Sequence, residues 1–415
     1  MTSRHRRPNL IATTAAIAAW ACSSAWSQAE TPQRVEISAA AALKIDERAA
    51  SGSRLGLTLR ETPATVQVIT RAELDALAVI DSQDALVNIP GVSFSTQPGA
   101  AGSVFYRGFS SASLAQLYNG ISVQYDAIAA RSVDSWLIER VESVGGPSSF
   151  LNGSGAVGGS INLITKVADL KGDLSRVRLG VGDQRQLAMS LQRGLGTPAG
   201  AGHVLRLEVN GTQGAQRSQG RGRESWQAAA SWRAALRSEA SHTLSVEQQH
   251  ERVTQPYWGA PLQRDAANAV LGQVRWDART VDVHYNVVDG RYQHDVRWLR
   301  SILEALLSPA ARLSHTLYHY DALRDFDNLE RYTFVNQNSQ AQRSAALLQR
   351  HDQQVWGSRG EITLASRLAG MKSDFAAGWE GSYNRQTRFP LSVNGPFDTT
   401  DPYAPAELSF LSLPG

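Results

Sequence analysis

Cysteine is almost absent. The single one, Cys22, lies in an N-terminal stretch that reads as a secretory leader. Arg4, Arg6 and Arg7 form its basic head, Leu10 to Ala21 its apolar run, and Ser27-Gln28-Ala29 a small-x-small cleavage site. Cleavage there leaves a chain without cysteine, with no disulfide and no thiolate metal site. A lipid anchor at Cys22 and a plain Ala-rich N-terminus are the alternatives. Long apolar runs are also missing. No segment reaches the ~18 residues of a membrane helix. Charge of one sign is missing too: 41 Lys and Arg are intermixed with 38 Asp and Glu, for a net charge of +3. With no basic patch or stripe, nucleic-acid binding is excluded as a reading. A mean hydropathy of −0.28 suits a soluble protein and a barrel of membrane strands equally, because such strands are apolar on one side only.

The most informative stretch runs from Ser135 to Lys166, SWLIERVESVGGPSSFLNGSGAVGGSINLITK. Gly153, Gly155 and Gly158 spell G-x-G-x-x-G, which binds dinucleotides when a helix comes next and its N-terminus meets the pyrophosphate. Here Ile161-Asn162-Leu163-Ile164-Thr165 comes next, β-branched and short, and it predicts a strand. The remaining reading is strand, tight glycine turn and strand, with close backbone approach. The whole stretch resembles the end of the plug domain of TonB-dependent outer-membrane receptors, where L-x-R-[IV]-E-V-x-[RK]-G-P precedes Y-G-x-x-x-x-G-G-x-[IV]-N-[LIV]-[IV]-[ST]-K. Two positions depart from that pattern. Gly145 stands where the family has Arg, and Asn152 where it has Tyr.

The resemblance extends back to about Glu61. Thr65 to Ile69 alternates as a strand, Thr70 with Glu73 forms a capping box before a short helix, and Asp81-Ser82 caps a second helix that Asn88-Ile89-Pro90-Gly91 stops. Phe105-Tyr106-Arg107-Gly108-Phe109 and Tyr118-Asn119-Gly120-Ile121 come after it in the family's order. The resemblance implies that Arg107 and Arg140 lock the plug to acidic residues of the barrel. It also implies that the segments 97–102 and 124–131 are apical loops, with Gln97 and Tyr125 toward a ligand. Ahead of the plug, residues 30–60 read as a tail. Its extended segment Val35, Glu36, Ile37, Ser38 and Ala39 stands where the family carries the TonB box, able to pair with a partner's sheet edge.

From residue 172 the chain alternates apolar and polar residues: Val177, Leu179 and Val181; Leu205, Leu207 and Val209; Leu244 and Val246; Phe375, Ala377, Trp379, Gly381 and Tyr383. This dyad period is the signature of a transmembrane β-barrel, and a soluble β-sandwich is its alternative. Thr254 to Leu262 resembles the mouth loop of siderophore receptors, with Tyr257 and Trp258 as candidates to stack on a ligand or to pack on a neighbouring loop. His315 and His319 share one face of a strand at roughly 3.3 Å per residue, too far apart to chelate one ion.

The expected fold is therefore mostly β: residues 1–29 a signal peptide, 30–60 the tail, 61–166 an α/β plug, and 172–415 an incomplete antiparallel transmembrane barrel. That last segment has room for roughly ten to twelve strands, against about 22 in the family. The chain also ends at Ser412-Leu413-Pro414-Gly415 without an aromatic closing strand, so a C-terminally truncated receptor is expected, one that would not transport as written. The resemblance implies no enzyme and no cofactor. It implies uptake of a ferric siderophore across the outer membrane, powered through TonB–ExbB–ExbD, after insertion by the barrel assembly machinery. Haem or cobalamin as ligand, and a non-transporting surface docking protein, are the alternatives.

Overall fold

The structure is a computed structural model that describes residues 44–95, 103–109, 113–122, 133–153, 155–170, 172–196, 202–215, 222–263 and 275–413. The leader, the Val35–Ala39 segment, Gln97, Tyr125 and both apical loops lie outside the described residues.

The plug begins with strand β1 (Thr65–Thr70) and helices α1 (Arg71–Ala76) and α2 (Ser82–Leu86). The expected capping box forms: the Thr70 N–H donates to Glu73 at 2.8 Å, and the Glu73 N–H donates to the Thr70 hydroxyl. Asp81 caps α2 through the N–H groups of Gln83 and Asp84. Strands β2 (Val92–Ser95) and β3 (Ser103–Tyr106) pair as an antiparallel ribbon. Then come β4 (Leu114–Tyr118), β5 (Ile138–Gly145), the single turn α3 (Ser149–Asn152) and β6 (Gly159–Thr165). The plug sheet has the order β1-β5-β6-β4, antiparallel except where β4 runs parallel to β6.

The glycine run works by close approach. Gly159, at φ +147°, lets the chain pass against the Val144 carbonyl and the Tyr106 ring, where any side chain would collide. The run leads directly into strand β6, so no helix N-terminus faces the glycines and the dinucleotide reading fails for want of a dipole.

A second sheet of 11 strands comes after the plug: β7 (Leu174–Gly180), β8 (Gln184–Leu195), β9 (His203–Ala215), β10 (Gly222–Arg237), β11 (Ala240–Thr254), β12 (Leu262–Gln263), β13 (Arg275–Trp276), β14 (Arg291–Ser308), β15 (Ala311–Val335), β16 (Gln340–Leu368) and β17 (Met371–Thr400). The long strands form an antiparallel meander from β7 to β17, and β12 with β13 is a small ribbon between β11 and β14 in the chain. The sheet is open. Among the described residues β7 and β17 are its two ends and do not pair.

Alternation assigns the two faces. On one, Val177, Leu179, Leu244, Val246, Leu299, Trp356, Trp379 and Tyr383 are exposed. On the other, Thr243, Ser245, Glu247 and Gln249 of β11 are buried. A water-facing sandwich would reverse this. Apolar residues outward and polar residues inward suit strands that meet lipid outside and a polar filling inside. The plug is that filling: its core residues Ile69, Leu74, Val104, Tyr118, Ile138 and Val141 share one apolar cluster with Val296, Trp298, Tyr318, Tyr320 and Val355 of the sheet.

Candidate functional site

The plug is fixed to the inner wall by polar contacts at several points. At the first, Glu247 of β11 is buried. It accepts from the Tyr118 hydroxyl at 2.6 Å and from the Thr165 hydroxyl at 2.7 Å, both on the plug. Arg300 of the neighbouring β14 donates to Glu247 at 2.9 Å and to Thr165 at 3.1 Å. Gln249 donates to the Tyr118 hydroxyl at 2.9 Å, and Trp298 meets the Tyr118 ring edge-on at 5.7 Å. A buried carboxylate needs both a counter-charge and donors. Here the wall supplies the charge and the plug supplies the hydroxyls.

At the second point Asp75 of α1 pairs with Arg71 at 2.9 Å and reaches Arg176, at 3.1 Å, and Arg178 on β7. Burial pushes the Asp75 carboxyl up, but its hydrogen bonds and charge contacts with Arg71 and Arg178 outweigh that and hold it below the usual value. At the third, Lys166 lies 3.7 Å from Glu208 of β9 and 4.5 Å from the centre of the Trp136 ring. Burial pushes its ammonium down to about 8, against the pull of Glu208. At the fourth, Thr212 of β9 donates to the buried Asp134 at 2.9 Å, and Arg223 of β10 reaches Asp81 at 3.6 Å.

The arginines expected to form these locks are elsewhere. Arg107 is exposed, with its guanidinium over the Tyr106 ring at 5.5 Å and against Gly145. Among the described residues it has no carboxylate partner. Arg140 donates to Glu142 of its own strand at 2.7 Å, so its ion pair lies inside the plug. The locking residues Glu247 and Arg300 were open to discovery in the sequence, as charges at inward positions of membrane strands.

Strand register gathers a second group on the inner wall. His294 (β14), Arg324 (β15), His351 (β16) and Arg388 (β17) are successive partners across four strands, a row that Glu251 of β11 extends opposite His294. The adjoining row is Tyr292, Phe326 and Gln349. Arg324 lies over the Phe326 ring at 4.4 Å and the Tyr292 ring at 5.2 Å. One row further on, Asn328 is fully buried, and neither end of its amide has a hydrogen-bond partner among the described residues; the Gln349 carbonyl has none either. None of these residues stands out in the sequence, because partners from one strand to the next lie more than 20 positions apart and only the pairing aligns them.

Tyr257 and Trp258 are packing residues in this structure. Tyr257 is 8 % exposed and its hydroxyl donates to the Val281 carbonyl. Trp258 packs on the cluster of Tyr285, Leu329 and Tyr332. The loop folds back on the wall, with the Tyr257 ring buried and the Trp258 ring partly buried against it. His315 and His319 lie against Trp379 and Trp356 on the outward face, and among the described residues no group of three or more His, Cys, Asp or Glu is placed to hold a metal.

The family model for the TonB-dependent receptor plug domain matches residues 58–160. A probable TonB-dependent siderophore receptor of Acinetobacter baumannii is 30% identical over 190 residues, 44% of this chain and 24% of the relative. A vitamin B12 transporter of Vibrio vulnificus is 33% identical over 140 residues, 33% of this chain and 23% of the relative. The ferripyoverdine receptor of Pseudomonas aeruginosa is 34% identical over 140 residues, 32% of this chain and 16% of the relative. A crystal structure of that Pseudomonas receptor superposes with a TM-score of 0.75 at 18% identity, over 89% of this chain and 49% of its own. That of the Acinetobacter receptor gives 0.75 at 20% identity, over 89% and 55%. The chain thus spans about a quarter of the first curated relatives and about half of these solved chains.

Proposed function

We propose that the chain, whose residues 58–160 match the plug family model and whose strand wall superposes on solved receptors, serves in the outer membrane as the receptor for an anionic ferric chelate of the siderophore class. The observation that carries the ligand class is the inner-wall row of His294, Arg324, His351 and Arg388 beside Tyr292 and Phe326. The guanidiniums of Arg324 and Arg388 draw a carboxylate- or catecholate-bearing chelate, and aromatic faces hold its organic frame. The buried amide groups of Asn328 and Gln349 offer further hydrogen bonds.

Transport in this reading needs no bond-making step. Val35–Ala39 is the TonB box, which adds a strand to TonB, and TonB–ExbB–ExbD supplies the work. The barrel assembly machinery inserts the strands. Tyr118, Thr165, Glu247 and Arg300 hold the plug until that work is done.

The test is growth of iron-starved cells on single ferric chelates, with a full-length, closed-barrel receptor carrying this sequence as the only one produced. Growth on an anionic chelate that disappears on deleting TonB, or on deleting Val35–Ala39 while chelate binding persists, supports the reading. Growth that survives both deletions overturns it. The match to a vitamin B12 transporter favours cobalamin as the second reading, tested by rescue of a cobalamin-requiring strain.

A further inference from the structure

The chain just ahead of the plug is fastened at Ser51 and, further along, at Arg54, whose Nη2 donates to the Leu151 carbonyl at 2.7 Å and whose Nε lies 3.5 Å from Glu361 of β16. Its two legs pair with each other: Arg48 bridges Thr58, the Leu59 N–H donates to the Glu47 carbonyl at 2.8 Å, and the Arg60 N–H to that of Ile45 at 2.9 Å. Most of this strap is on the surface, with Ile45 and Leu55 exposed and the Arg60–Asp46 pair facing water. At its turn Ala49, Ser51 and Gly52 are buried.

Ser51 at that turn is held three ways. Its N–H donates to Glu142 Oε2 at 2.9 Å, its hydroxyl accepts from Asn162 Nδ2 at 3.0 Å, and its carbonyl accepts from Asn152 Nδ2 at 3.4 Å. Glu142 is fully buried, and its other oxygen takes Arg140 Nε at 2.7 Å. Asn152 also donates to Ser160 at 2.9 Å, which aims its amide. Gly52 closes the fit: a Cβ there would stand 2.8 Å from Val66 Cγ2.

We infer that Glu142, Asn152 and Asn162 form a clasp on Ser51 that decides whether a pull on the N-terminal tail reaches the plug sheet. The three bonds act in parallel on Ser51, the first hold that a pull from the N-terminal side meets, so that hold lets go at a threshold rather than peeling, with Arg54 as the next. Until then the load passes through Glu142 into β5 and through Asn162 into β6, the strands that flank the glycine turn. Asn152, one of the two departures from the family pattern, gains a purpose: its amide reaches the strap backbone. Arg140 is a positioning residue for the clasp. The source of the pull rests on the function proposed above, whereas the clasp itself does not.

Hydrogen–deuterium exchange of the purified chain in detergent micelles tests the clasp without TonB, so failure of the transport reading leaves its outcome intact. Glu142→Met keeps the volume and removes the acceptor. It is expected to speed exchange of the amides of residues 47–62 about tenfold or more, with β5 and β6 unchanged. Ser51→Ala alters no residue of the plug sheet, and a smaller acceleration in the same amides is expected. No acceleration in either variant overturns the clasp, as does strap and sheet exchanging together.

Discussion

Tyr118 of the plug donates its hydroxyl proton to Glu247 of the wall at 2.6 Å, and both side chains are buried. The contact crosses the boundary between filling and wall, so its strength is part of what keeps the plug seated. Replacing Tyr118 with Phe leaves the ring packing on Trp298 and removes one donor, at a cost of about 1–3 kcal/mol for the buried carboxylate. Glu247→Ala is expected to cost more, about 3–5 kcal/mol, because Arg300 is left buried without its counter-charge. Thermal release of the plug, followed by protease cleavage within residues 61–166, checks both values. Equal effects from the two variants would deny Arg300 its role.

The Asp75 carboxylate ties α1 to β7 through Arg176 and Arg178. Its folded value lies below the ordinary one, so the unfolded chain binds the proton more readily as pH falls. The stabilisation is therefore present above about pH 3.9, the ordinary Asp value. It is lost as pH falls through the lowered folded value. Exchange at β7 is expected to rise in that acid window and to be flat there in Asp75→Asn. The same rise in the variant would assign the effect to another group.

Restoring the family arginine at Gly145 is expected to harm this chain. A Cβ there would stand 2.9 Å from both the Tyr106 hydroxyl oxygen and Arg107 Cζ. Tyr106 is fully buried, so only Arg107 can swing aside. Gly145→Arg is expected to cost about 1–3 kcal/mol by overpacking. The double variant with Arg107→Ala should recover part of that. A thermal midpoint unchanged by Gly145→Arg would show that the site has room.

Ligand affinity separates the wall from the mouth loop. Truncating Arg324 to Ala is expected to weaken an anionic ferric chelate about tenfold or more, a loss of about 1.4 kcal/mol. Trp258→Phe should leave affinity within about twofold, since Trp258 packs on Tyr285 and Tyr332. Titration by quenching of tryptophan fluorescence reads both, and the reverse ranking would return the site to the mouth loop.

The sequence by itself determined the local chemistry. The capping box at Thr70, the Asp81 cap and the two-residue alternation of the wall strands depend on neighbours a few positions away, and each was legible; the glycine run announced a close approach but not that Val144 would be its partner. The order and spacing of the plug segments were legible for the same reason. Only the tertiary structure decided which charges meet. Arg107 and Arg140 looked like locks from their motif, but a motif does not say where a long side chain ends: one lies over Tyr106 and the other on Glu142. Tyr257 and Trp258 read equally as ligand stackers and as packing residues, because aromatic residues in a loop look alike whether the loop folds back or stands out. The lock at Glu247, the row through Arg324 and the grip on Ser51 join residues separated by 27 to 129 positions. Strand register and the seating of the plug bring them together, and both are set by burial summed over the whole sheet rather than by any one stretch of chain.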